Sequence, residues 1–159
     1  MGLAEPEAGV SGRSDSDGEA TGGLPDLRAA LNAIPGCLGT EAARTESGKE
    51  VIFAWFEDKQ AVLRWYHSQI HQRTMRGAFP DFEPRGPLKD VPEDVGPILV
   101  IASLTLTERA PAEGVSLPIS QIAIELYRPL AGGLSFGGRF SPDRLVVPGL
   151  RDYTSQVLG

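Results

Sequence analysis

The chain has 159 residues, 41% of them hydrophobic, which is enough for one domain with a real core and for tails beside it. Its 15 basic and 21 acidic residues leave a net charge of -6, and no run of Lys and Arg is long enough to track a phosphate backbone, so no nucleic-acid partner is expected. No stretch of about 18 apolar residues and no apolar segment after a basic start occurs, so neither a membrane span nor a signal peptide is expected; the single cysteine, Cys37, excludes an internal disulfide and a thiolate zinc cage and agrees with a reducing cytoplasm.

Residues 1–23 hold five acids against one arginine and no aromatic residue, a composition that cannot bury enough apolar surface to offset its ordering entropy. They are expected to be a disordered acidic tail, followed by one domain over 24–141 and a C-terminal tail over 142–159. In "LPDLRAALNAIPG", Leu27, Leu31 and Ile34 recur at helical spacing, with Pro25 and Asp26 suited to a first turn and Pro35-Gly36 to a stop. "GCLGTEAAR" and "GKEVIFAWF" follow as two strands joined at Ser47-Gly48, a hairpin. The second is apolar on both faces, so one face should lie on helices and the other on a second sheet or a lined cavity.

Asp58 is placed to cap the next helix, read as continuous from Lys59 to Met75. On its wheel Ala61, Val62, Leu63, Trp65, Tyr66 and Ile70 fall in one arc, and His67 and His71 lie on the margin of that stripe. The segment 77–96 holds four prolines and reads as a long crossing loop, of a length that is often functional. "PILVIASLTLTE" and "ISQIAIELYRPL" read as two more strands around the loop 109–118, and in the second Ile122, Ile124 and Leu126 alternate with more polar neighbours, which marks a buried face.

Helix, two strands, helix and two strands make an α+β chain, and a four-stranded antiparallel sheet with helices on one face is the ferredoxin-like arrangement. Its usual first strand has no counterpart after the acidic tail. Either the order is permuted, with the strand around Ile122 to Tyr127 in the vacant place, or the start is misassigned and the strand lies upstream.

The two histidines, four residues apart, invite a metal reading, with Asp81 or Glu83 of the following loop as third ligand. Too few ligands support it, and no metal is expected. The plainer alternative leaves His67 exposed and His71 capping or hydrogen-bonding a loop. Cys37 reads as an inert small hydrophobe.

"IPGCLGTEAAR" and "GKEVIFAWFEDKQAVLRWYHSQIHQRTM" resemble the antibiotic biosynthesis monooxygenase superfamily, through Pro35 and Gly36, Trp55, Asp58, Trp65 and His71. The resemblance implies a dimeric α+β barrel, a homodimer whose sheets pack face to face, with a cavity between sheet and helices in each copy. It also implies, as one activity of the family, oxidation of an aromatic or quinone-like small molecule by molecular oxygen without metal or flavin, so no cofactor is expected. Haem degradation is not implied, because the first-strand asparagine is missing and Thr74 and Met75 stand where a later helix histidine is needed.

His71 is then the candidate catalytic base, since this chemistry asks for a base near neutral pKa in a site that excludes water. Trp55, Trp65, Tyr66 and His67 are candidates to line the substrate cavity, against the alternative that the tryptophans are core. In "LAGGLSFGGRFSP", Phe136, Arg139 and Phe140 form either a glycine-hinged arm or a lid over the cavity of the same or a partner subunit. The competing reading is a non-catalytic ligand-binding or assembly module of the same fold. A cavity of about 300 Å3 or more beside Trp55 and His71 favours the first reading and a filled core the second.

Overall fold

In a computed structural model of the chain, which describes residues 24–81, 83, 85–106 and 119–157, the first element is the helix α1 (Leu24–Asn32). The acidic tail expected over 1–23 and the loop expected over 109–118 lie outside the described residues. Strands β1 (Cys37–Arg44) and β2 (Glu50–Phe56) form the expected hairpin. Its corner closes through Gly48 N donating to Thr45 O at 2.9 Å, with Gly48 at φ +87°, a conformation glycine adopts without cost. Strands β3 (Ile98–Leu106) and β4 (Ile119–Tyr127) complete an antiparallel sheet of order β1-β2-β3-β4.

This is the ferredoxin-like α+β arrangement, with one correction to the expected strand order. The place beside β2 is filled by β3, not by the strand around Ile122 to Tyr127, which takes the edge. The cause is the loop after the second helical region. It carries the chain back to the end of the sheet where β2 finishes, so β3 enters with Ile98 opposite Phe56 and runs antiparallel to β2.

Ile52, Ala54 and Phe56 of β2 and Ile98 and Val100 of β3 point to the helical side, where they meet Leu31 of α1 and Ala61, Val62 and Trp65. Phe56 has no exposed surface, and burying a side chain of that size contributes about 1.5–3 kcal/mol. Helix α1 is tied to β1 by Arg28 and Asn32, the latter donating from Nδ2 to Thr40 Oγ1 at 2.9 Å.

The opposite face carries Val51, Phe53 and Trp55 of β2, the alternate positions of the same strand. Its cover comes from the C-terminal segment of the same chain. Phe140 meets Phe53 and Trp55 edge-on, at ring centroid distances of 4.9 and 5.3 Å, and Pro142 lies so close to Gly39 that a Cβ there would stand 2.7 Å from Pro142 Cγ. Arg139 folds back to donate to the carbonyls of Pro142, Asp143 and Leu145, which fixes the turn that presents Phe140. The short strands β5 (Leu134–Ser135) and β6 (Arg151–Asp152) pair in parallel, before the one-turn helix α4 (Thr154–Val157).

Candidate active site

The region expected to be one helix is two: α2 (Lys59–Tyr66) and α3 (Gln69–Ala78). Asp58 caps α2 as expected, accepting from Ala61 N at 2.8 Å. At the far end His67 N donates to Leu63 O and Ser68 N to Trp65 O, closing α2 in a tight turn. Ser68 then takes extended backbone (φ -66°, ψ 149°), and its side chain accepts from His71 N at 3.4 Å as the cap of α3.

That break decides the fate of the two histidines. His67 is left exposed at the end of α2, beside Gln69, Gln72, Arg73 and Arg76 in a polar surface groove. His71, in the first turn of α3, is turned inward with Met75 one turn later. The two therefore do not share a helix face, and the metal geometry drawn from their spacing does not form. Glu83 pairs instead with Arg85 at 3.2 Å, and among the described residues no three His, Cys, Asp or Glu stand together as metal ligands.

His71 borders two adjoining apolar spaces between the helices and the sheet, which share Trp65, His71, Met75, Ile122 and Ile124 as walls. The inner one, about 50 Å3, reaches Leu31 and Leu104. The outer, about 310 Å3, is bounded by Val62 and Tyr66 of α2, by Leu126 at the edge strand, and by Pro87 and Leu88 of the proline-rich loop. Ile122, Ile124 and Leu126, read from sequence as a buried face, are thus half-buried or exposed walls of a cavity.

The imidazole of His71 is only 6% exposed and lies against two rings, Trp65 at 4.4 Å and Tyr66 at 5.1 Å between centroids. Its Nε2 is buried and has no hydrogen-bond partner. Burial lowers its pKa from 6.5 to about 4, because an imidazolium in this apolar setting forfeits its hydration. His71 is therefore neutral at pH 7. An unpaired buried polar atom costs about 1–3 kcal/mol, and a site that keeps one is a candidate for binding whatever completes it. Burial also pushes the Tyr66 phenol up, so that it stays protonated.

Of the residues singled out from sequence, the fold brings together Trp65, Tyr66 and His71. Trp55 is 4% exposed on the other face of the sheet, and Phe140 lies on it there, so neither lines this cavity. Phe136 stacks on Tyr153 at 5.3 Å within the C-terminal segment, away from His71. Trp55 ends up opposite because its strand is apolar on both faces, which hides which side holds the space. Cys37 is buried, and burial raises its thiol pKa, as suits an inert packing residue.

Sequence reasoning missed Leu88, which no local pattern announces. It sits at φ +58°, a left-handed conformation that costs a non-glycine residue roughly 1–2 kcal/mol. Its loop is fastened by Lys59, whose Nζ donates to Val91 O at 2.8 Å and pairs with Glu93 Oε1 at 3.0 Å, while Gln60 Nε2 donates to Glu93 Oε2 at 2.8 Å. These contacts hold the Glu93 carboxyl below the usual carboxylate range.

No helix among the described residues is long and apolar enough to cross a membrane. No curated protein and no solved structure matches the chain significantly. The family model described as antibiotic biosynthesis monooxygenase matches residues 17–77, and this part of the chain, which carries α1, the hairpin and the two helices around His71, is similar to that family.

Proposed function

We propose that the chain is a cofactor-independent monooxygenase that takes an aromatic or quinone-like small molecule into the cavity beside His71. The observation that carries this reading is the unpartnered Nε2 of His71 at the wall of an apolar space of about 310 Å3, a size within the range of small-molecule sites. Trp65 and Tyr66 offer flat surfaces to an aromatic ring, and His71 offers one hydrogen-bonding atom to a hydroxyl or enol.

In the reaction His71 Nε2 accepts the proton of a weakly acidic methylene C–H, or of the O–H of its enol tautomer, and the resulting carbanion or enolate passes electrons to molecular oxygen. A methylene carbon between aryl groups becomes a carbonyl; one oxygen atom stays and the other leaves as water. A pKa of about 4 makes the empty site's imidazole a weak base. A substrate anion in contact with it offsets that, since an adjacent negative charge favours the imidazolium. The same low pKa favours a second reading, a site that binds a phenol without turning it over.

Aerobic oxygen uptake with anthrone- and hydroquinone-type compounds in chelated buffer separates the two. Uptake that persists under chelation and disappears in His71→Leu is expected of the oxygenase. Binding of the same compounds with no uptake above background would leave the binding module.

The resemblance and the uncovered part of the sheet together support a homodimer. Leu99, Ile101 and Tyr127 share the outer face with Trp55, and the exposed Phe140 extends the apolar surface beside them. Packing a second copy there removes this surface from water. Ile101→Glu is expected to shift sedimentation from dimer to monomer with the helical side of the sheet intact; a monomeric wild type across micromolar concentrations would contradict the pairing.

A further inference from the structure

The strap over residues 86–95 does more than return the chain to the sheet. Leu88 has two tasks: it packs with Val91 and Val95 on the core cluster, and it closes the outer cavity opposite Ile124 and Leu126. It performs both from a left-handed backbone (φ +58°) that follows Gly86 at φ +51°, in a turn closed by Lys89 N to Gly86 O at 3.2 Å and Val91 N to Leu88 O at 3.0 Å. A conformation unfavourable for leucine persists only where its surroundings hold it.

What holds it is visible. Lys59, buried at the start of α2, spends its ammonium on Val91 O and Glu93, and Gln60 grips the second oxygen of the same carboxylate. Both donors belong to the helix that carries Val62, Trp65 and Tyr66 into the cavity. The latch thus fixes the wall that carries Leu88 relative to the wall that α2 supplies.

We infer that Leu88 is the specificity-determining wall of the cavity, setting the largest ring system it admits, and that Lys59, Gln60 and Glu93 position it as a latch. The inference rests on the cavity being the ligand site. Removing the leucine side chain enlarges the space where Pro87 and Leu126 border it; loosening the latch lets the strap part from α2 and speeds entry and exit alike.

The test uses two neutral phenols of different size, 1-naphthol and 1-hydroxypyrene, with binding and rates followed on the full chain by fluorescence. Leu88→Ala is expected to raise the affinity for 1-hydroxypyrene relative to 1-naphthol by about tenfold, the scale on which small changes of an apolar pocket discriminate. Glu93→Ala, at an exposed position where folding is not at stake, is expected to raise association and dissociation rates of 1-naphthol together, by several-fold, with a smaller change in Kd. A purely structural role for the latch would move the melting temperature and leave those rates alone. If the wild type binds 1-naphthol and either the size ratio or the rates stay unchanged, the inference is overturned and the cavity reading stands. If the wild type binds neither phenol, the cavity reading falls and the inference with it.

Discussion

His71→Leu is expected to make the protein more stable and to abolish the oxygen uptake proposed for the cavity. The leucine removes a buried nitrogen that has no partner, and exchanging such an atom for an apolar side chain of similar size is expected to gain about 1 kcal/mol at pH 7. That corresponds to a rise in melting temperature of about 4 °C. The gap should widen in acid. Because the folded-state pKa lies below the unfolded value, the unfolded chain takes up the proton first. Wild-type stability is then lost progressively as pH falls from 6.5 through about 4, by about 3 kcal/mol in all. The variant lacks this loss. Glu93 also loses its stabilising contacts as pH falls through its lowered pKa, but it does so in both proteins and cancels from the difference. Thermal melts of the two proteins between pH 7 and pH 4 check the prediction; parallel curves would show that His71 is not buried in the neutral form.

Gly36→Ala is expected to be the most damaging conservative change at the turn between α1 and β1. Gly36 stands at φ +90°, where an L side chain is strained, and a Cβ there would lie 2.6 Å from Ala61 Cβ and 3.0 Å from Glu57 Oε1. Ala61 is fully buried and cannot retreat. The turn is also held from both sides, by Glu57 N donating to Gly36 O and by Arg64 donating to Pro35 O, each at 2.9 Å. Backbone strain of about 1–2 kcal/mol and overpacking of about 1–3 kcal/mol together give a loss near 3 kcal/mol, or about 10 °C in melting temperature. Ala61→Gly in the same chain should recover the overpacking share and leave the backbone share, which distinguishes the two causes. A melting temperature within 1 °C of the wild type would mean that α2 does not rest on this turn.

The Pro-Gly pair at 35 and 36 was legible because its chemistry is local, and so was the hairpin, whose corner at Ser47-Gly48 lies between two runs of strand-forming residues. The position of β3 was not, since strand order depends on where a long loop returns the chain and no local signal records that. The break at Ser68 escaped for a different reason. Neither proline nor glycine marks it, and the serine cap followed by His71 reads equally well as the interior of one amphipathic helix. On that continuous helix His71 falls at the margin; on α3 it turns inward and becomes the only polar atom found buried without a partner among the described side chains. Trp65 and Tyr66 were legible as lining because they share the arc that faces the sheet. Trp55 was misplaced because Val51, Phe53 and Trp55 are as apolar as Ile52, Ala54 and Phe56, and only the docking of Phe140 shows which side is filled.

The central claim is that a ligand hydroxyl completes the hydrogen bonding of His71 inside the cavity, and the most direct measurement is the imidazole nitrogen resonances of His71 at pH 7, with and without 1-naphthol. The expected result is a neutral ring whose Nε2 signal shifts as 1-naphthol saturates the site. A ring already protonated at pH 7, or one whose nitrogens do not respond while 1-naphthol binds, would contradict it.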